Sequence, residues 1–141
     1  MSNPKTPDGR QHHTLTMALV VRDGARALDF YKQAFGAQEI FRVPTPDGRI
    51  AHAQMRIGDS LFFLADEDPN NSSGYRSPKT LGGTSFAIYM YVADADSVFD
   101  QSLGAGAESL FPVAEQPWGD REGLVRDPFG HLWAVAMRKS S

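Results

Sequence analysis

Two stretches of this chain say nearly the same thing. Residues 20–41 read VVRDGARALDFYKQAFGAQEIF and residues 91–111 read YVADADSVFDQSLGAGAESLF, so Asp94 answers Asp23 at an offset of 71 and Gly106-Ala107 answers Gly36-Ala37 at an offset of 70. A period that long marks a duplicated supersecondary unit, not a solenoid of short repeats. A duplicated half-sheet is expected to enclose a site at its seam, which says where to look for chemistry before the chemistry is known.

Composition narrows the classes. At 141 residues the chain reads as one domain, long enough to bury about two thirds of its unfolded surface without a disulfide or metal clip. It has no cysteine, which removes thiolate chemistry and fits a reducing compartment. Net charge is −3 with Lys and Arg scattered, so there is no basic stripe for nucleic acid. The apolar runs, such as residues 61–65, are too short for a bilayer, and residues 1–11 hold no signal-peptide core. The expectation is a cytoplasmic protein with a small-molecule partner and neither nucleic acid nor membrane.

Residues 1–13 carry Pro4, Pro7 and Gly9 and read as a flexible arm. His12 and His13, adjacent within it, cannot supply a preorganised ligand set. Module one spans 14–66. Residues 15–21 form a strand by composition, Asp23 offers an N-cap acceptor, and a helix over 24–35 places Leu28, Tyr31 and Phe35 on one face before Gly36 stops it. Strands follow at 39–43, 50–57 and 60–64, the first two separated by a turn carrying Asp47-Gly48. The polar connector 67–83, with Tyr75 embedded, is either a linker or a lid. Module two, 84–137, repeats the order: strand 85–92, N-cap Asp94, a helix to about 104, strands near 108–112 and 124–126, the turn Asp127-Pro128-Phe129-Gly130, and a last strand 131–137. Both halves read β-α-β-β-β, an α+β class.

The motifs Ala27-x-x-Phe30-Tyr31-x-x-x-Phe35-Gly36-Ala37, Ala51-His52-Ala53, Ser77-Pro78-Lys79, Trp118-Gly119-Asp120-Arg121 and Asp127-Pro128-Phe129-Gly130-His131-x-Trp133 together resemble the glyoxalase/bleomycin-resistance/dioxygenase group, the vicinal oxygen chelate superfamily, and within it the PhnB-like branch. The resemblance covers residues 15–137. It implies that two βαβββ modules curl into a mixed-sheet cup. In many members that cup holds a divalent metal, with one ligand from the first and one from the last strand of each module.

Strand alternation assigns faces. Leu15, Met17, Leu19 and Val21 take the helix side with Phe62 and Leu64, leaving Thr16 and Phe63 for the cup. Phe86, Ile88, Met90, Trp133, Val135 and Met137 take the second helix, leaving Ala87, Tyr89, Tyr91 and Ala134. The positions at which metal-binding relatives carry His, Gln or Glu correspond here to Thr16, Phe63, Ala87 and Ala134, of which three have no donor atom. No metal and no cofactor are therefore expected, nor the Lewis-acid chemistry such a metal supplies.

On strand 50–57, alternation puts Ala51, Ala53, Met55 and Ile57 on one face and His52, Gln54 and Arg56 on the other, at the cup or its rim, and His52 is the candidate proton carrier. Arg121 stands either at the cup mouth, where it could fork onto an anionic group, or in a surface arrangement with Asp120. His131 fits a role in its turn. Asp66, Glu67 and Asp68 are either a loop edge or a displaced metal site with His52. The expected ligand-binding set is Thr16, His52, Gln54, Phe63, Tyr89, Tyr91, Trp118 and Arg121, an aromatic pocket with few polar anchors. It fits a metal-free binding protein that sequesters an aromatic or antibiotic-like molecule. The alternative is a glyoxalase- or dioxygenase-type lyase or isomerase built around His52. A packed-shut cup serving only assembly is a third reading. Exposed sheet edges favour a homodimer, with the cup completed within or between chains.

Overall fold

The computed structural model describes residues 2–70 and 73–138. Met1 of the expected arm, Asn71 and Ser72 of the expected connector, and residues 139–141 lie outside the described residues. The elements run β1 (Met17–Val21), α1 (Gly24–Phe35), β2 (Gln38–Pro44), β3 (Ile50–Ile57), β4 (Ser60–Asp66), α2 (Pro78–Leu81), β5 (Ala87–Tyr91), α3 (Ala95–Ala105), β6 (Glu108–Glu115), β7 (Asp120–Arg126) and β8 (Leu132–Arg138). The βαβββ order thus occurs twice. The chain divides into two compact units, one of Met1–Lys32 with Gly36–Ser77 and one of Gln33–Phe35 with Pro78–Ser141. Among the described residues no helix is long and apolar enough to cross a membrane.

In the first unit the sheet order is β1-β4-β3-β2. β1 runs parallel to β4, with Met17 opposite Phe62 and Val21 opposite Asp66, and the other pairings are antiparallel. Parallel neighbours need a crossover, and α1 begins it: the Asp23 carboxylate accepts from Arg26 N–H, and at the C-terminus Gly36 N–H donates to the Lys32 carbonyl and Ala37 N–H to the Tyr31 carbonyl. Tyr31 packs edge-on against Phe62 with ring centroids 5.8 Å apart. Leu19, Val21, Leu28, Met55 and Leu64 are buried with them. A register shift between Val43 and Pro44 breaks the alternation of β3 at Ala51. Ile50 is consequently buried while Ala51 is exposed.

The second unit repeats the plan as β5-β8-β7-β6, with β5 parallel to β8. Asp94 caps α3 by accepting from Ser97 N–H. Asp127 organises the expected turn, accepting from Phe129 N–H and His131 N–H on one oxygen and from Trp133 Nε1–H on the other. His131 contributes backbone bonds to that turn and is buried. Trp133, expected against the second helix, stacks on Phe35 from the last turn of α1 at 4.5 Å.

Three expectations are corrected. Leu15 and Phe86, assigned to helix faces, are exposed, because β1 and β5 begin only at Met17 and Ala87. β7 begins at Asp120 and not near 124; its charged residues and Gly123 hide the strand in the sequence, while pairing with both β6 and β8 enforces it. β6 runs on to Glu115. The connector holds α2 and is pinned at Ser77, whose N–H donates to Glu67 Oε1 at 2.6 Å.

The N-terminal residues make defined contacts. Lys5 and Gln11 form an antiparallel bridge, and Asp8 accepts from Arg56 Nε and Nη2 at 3.0 and 3.2 Å. Arg56 is only 6% exposed. A hydrogen bond from the Thr6 hydroxyl, then Arg56, hold the Asp8 carboxyl down at about 2 against the opposing effect of burial. A carboxyl lowered on folding stabilises above its unfolded value of 3.8 and loses that contribution as pH falls towards about 2. Exchange of the Thr6 and His12 amides, bonded to Arg10 and Pro4 carbonyls, should therefore accelerate through that acid window in wild-type protein. In Asp8→Asn it should be fast at every pH; unchanged protection in that variant would remove the ion pair from the account.

Asp66 ties three elements together, accepting from Gly24 N–H at 2.9 Å and Ile50 N–H at 2.7 Å. A Cβ on Gly24 would lie 2.6 Å from Asp66 Oδ2 and 2.8 Å from Ile50 Cγ1, whereas one on Gly104 in α3 meets nothing within 4 Å. Gly24→Ala should cost about 1–3 kcal/mol through overpacking. Gly104→Ala should instead gain about 0.5–1 kcal/mol of helix stability. Urea midpoints at constant slope check both, and equal shifts of the same sign would refute the packing argument.

Candidate functional site

Alternation in β3 and β4 gives the first unit two chemically distinct faces. Ala53, Met55, Phe62 and Leu64 are buried on one. On the other, His52 meets Phe63 edge-on at 4.9 Å and Phe41 at 5.8 Å, and His12 reaches Phe63 at 5.9 Å. Gln54 Nε2 lies 3.1 Å from His52 Nε2. Gln54 Oε1 is buried and accepts nothing from the described residues.

Beside His52 opens a cavity of about 490 Å³ whose walls include Ala18, Arg49, His52, Phe63, Ala65 and Tyr75. Arg49 is held at its edge by Asp47, 3.1 Å from Nε. The sequence reading missed Arg49, whose only signal is its place at the end of the turn that enters β3. Thr16 precedes β1 and lies in a separate small recess with Leu61 and Arg56. The acidic run at the end of β4 serves structure: Asp66 holds Gly24 and Ile50, Glu67 holds Ser77, and Asp68 accepts from Asn70 N–H.

In the second unit Tyr89 and Tyr91 project from the open face of β5. Alanines at 134 and 136 stand beside them on β8, in register with Tyr89 and Tyr91. Short side chains there leave room for both phenols to lean across β8 to β7. Their hydroxyls donate to Asp120 Oδ2 at 2.6 and 2.9 Å. Glu122 Oε1 lies 3.3 Å from the Tyr89 oxygen, and Trp118 Nε1–H donates to that oxygen at 3.2 Å. Burial first, and then the bond to Asp120, push the Tyr89 phenol far above its ordinary value. The Tyr89 hydroxyl, followed by Tyr91 and Arg138, keeps the Asp120 carboxyl below its ordinary value although burial opposes this. At neutral pH the cluster therefore holds a carboxylate beneath neutral phenols.

Arg121 does not join this cluster. It follows Asp120 by one residue and so faces α3, where Nε and Nη2 fork onto Asp96 at 2.8 and 2.9 Å. Its proposed pairing with Asp120 is likewise replaced, since Asp120 turns to the tyrosines. Glu122 was missed because the sequence reading began β7 too late; carrying the period of two back to Asp120 would have put both carboxylates on one face.

Phe63, Ala87 and Ala134 carry no donor atom, and Thr16 lies outside the strand pair. Among the described residues no three His, Asp or Glu side chains come together as a metal-binding group. The residues present do not fit a divalent ion at those positions.

Comparison with known proteins fits this architecture. A protein of Mycobacterium bovis is 45% identical over 124 residues, covering 87% of this chain and 82% of the relative. A protein of Mycobacterium tuberculosis is 41% identical over 148 residues, covering 97% and 87%. The crystal structure of TioX from Micromonospora sp. ML1 superposes with a TM-score of 0.71 at 30% identity, over 90% of this chain and 99% of that one. Residues 10–135 match a family model, and the chain belongs to the Glyoxalase/Bleomycin resistance protein/Dioxygenase superfamily.

Proposed function

We propose that this protein binds a flat aromatic small molecule, without a metal, in the cavity of the first unit. The observation that carries this reading is the cavity of about 490 Å³ walled by His52 and Phe63, within the size range of small-molecule pockets. Its walls combine two aromatic rings held edge-to-face, apolar Ala18 and Ala65, the cation Arg49 and the carboxylates of Asp66 and Asp68. Gln54 fixes the imidazole orientation from behind. Binding without turnover would make the protein a sequestering agent, in keeping with a donor set that does not fit a metal.

A panel of bicyclic and tricyclic aromatic compounds, 2-naphthol among them, tests this by thermal shift and calorimetry. At a hundredfold excess over the Kd a true ligand adds about 2.7 kcal/mol of stability. Phe63→Leu should remove about 0.5–1.5 kcal/mol of ring contact, weakening binding up to about tenfold. Binding unaffected by Phe63→Leu, or a panel that shifts nothing, would end the proposal.

A second reading, an enzyme of lyase or isomerase type, is favoured by one observation: His52 stands in the cavity wall with a ring nitrogen within hydrogen-bond distance of Gln54. It requires turnover that His52→Asn abolishes while the ligand still binds.

A further inference from the structure

The open face of the second unit carries a feature that the cavity reading does not use. Tyr89, Tyr91 and Trp118 are 43%, 56% and 58% exposed, although large aromatic side chains are ordinarily buried. The rings of Tyr89 and Tyr91 have centroids 5.3 Å apart at 59°, and Trp118 is joined to them through the Tyr89 hydroxyl. Behind the rings two carboxylates are almost fully covered, Asp120 at 2% and Glu122 at 5% exposure. Asp120 Oδ1 accepts no hydrogen bond from the described residues. Its nearest cation is Arg138 Nη1 at 3.6 Å, on a side chain that is 74% exposed. Two carboxylates against one guanidinium leave one negative charge under an aromatic surface, and Arg121 faces away, occupied by Asp96.

We propose that this face binds an organic monocation, an alkylated or quaternary ammonium group, seated on the Tyr89, Tyr91 and Trp118 rings with Asp120 and Glu122 balancing its charge. The chemistry follows from each part. A ring face attracts a cation within about 6 Å of its centroid. Phenol hydroxyls that donate to a carboxylate enrich the ring in negative charge, and the carboxylate adds its own field. An alkylated ammonium suits this arrangement better than a metal ion or a bare ammonium. The carboxylate oxygens are covered by the tyrosine hydroxyls, so the surface offered to a ligand is aromatic and rewards a weakly hydrated, apolar-skinned cation. An anion is excluded by the same charges. This site shares no residue with the cavity of the first unit, so the two readings stand or fall separately.

The test uses choline and its uncharged carbon isostere, 3,3-dimethylbutan-1-ol, on the full chain. Trp118 is the reporter: it is exposed, whereas Trp133 is 1% exposed, so a ligand on this face changes the accessible component of the emission. Choline should bind about tenfold more tightly than the alcohol. Trp118→Leu, at a surface position, should weaken choline binding, as read by ring-proton shifts of the tyrosines. Asp120→Asn should erase the preference for the cation, and Glu122→Gln should reduce it, which keeps the proposal open to refutation if Asp120→Asn fails to fold. Equal affinity for the two isosteres would overturn it. So would Trp118 already shielded from acrylamide in the free protein, because the face would then be covered by protein, or a cation preference that survives Glu122→Gln at full strength.

Discussion

Parallel hydrogen bonding between the first and last strand of each βαβββ unit is the constraint on which the other features depend. β1 lies beside β4 and β5 beside β8, and two parallel neighbours cannot be joined by a tight turn. The chain must leave the sheet through a helix, which is why a strand is followed at once by an N-capping aspartate in both units. A helix on one face commits that face to packing. The other face of each sheet is then available for polar and aromatic side chains, and both candidate sites lie there.

On those open faces the two units diverge although their backbones repeat. In the first, β4 offers Phe63 to a histidine on β3, and a cavity forms beside the pair. In the second, alanines take the corresponding last strand. Their small size lets Tyr89 and Tyr91 reach over β8 to carboxylates on β7. Duplication supplied one frame, and side-chain volume on the strand next to β1 or β5 decided what each frame can hold.

Much of the frame is legible in the residues. Asp23 and Asp94 as N-caps, Gly36 as a helix stop, the bounds of α1 and β3, and the face assignment of Phe62, Phe63, Tyr89 and Tyr91 all follow from local chemistry and a period of two. What escaped reading were elements sustained by their neighbours. β7 carries four charged residues and a glycine in seven positions, and only ladders on both sides make it a strand. Arg121 illustrates the consequence. With the strand start misplaced its side chain was assigned to the ligand, whereas the true register turns it to Asp96.

The sequence by itself determined the duplicated β-α-β-β-β order, the apolar face of each sheet and the lack of a donor atom at Phe63, Ala87 and Ala134, because caps, periodicity and residue chemistry are local properties. Tertiary structure decided which polar side chains meet. Asp8 on Arg56, Asp66 on Gly24 and Ile50, and Asp120 under two tyrosines join residues 16 to 48 positions apart. Such contacts depend on strand register and on the volume of the residues between them, and no local pattern encodes either.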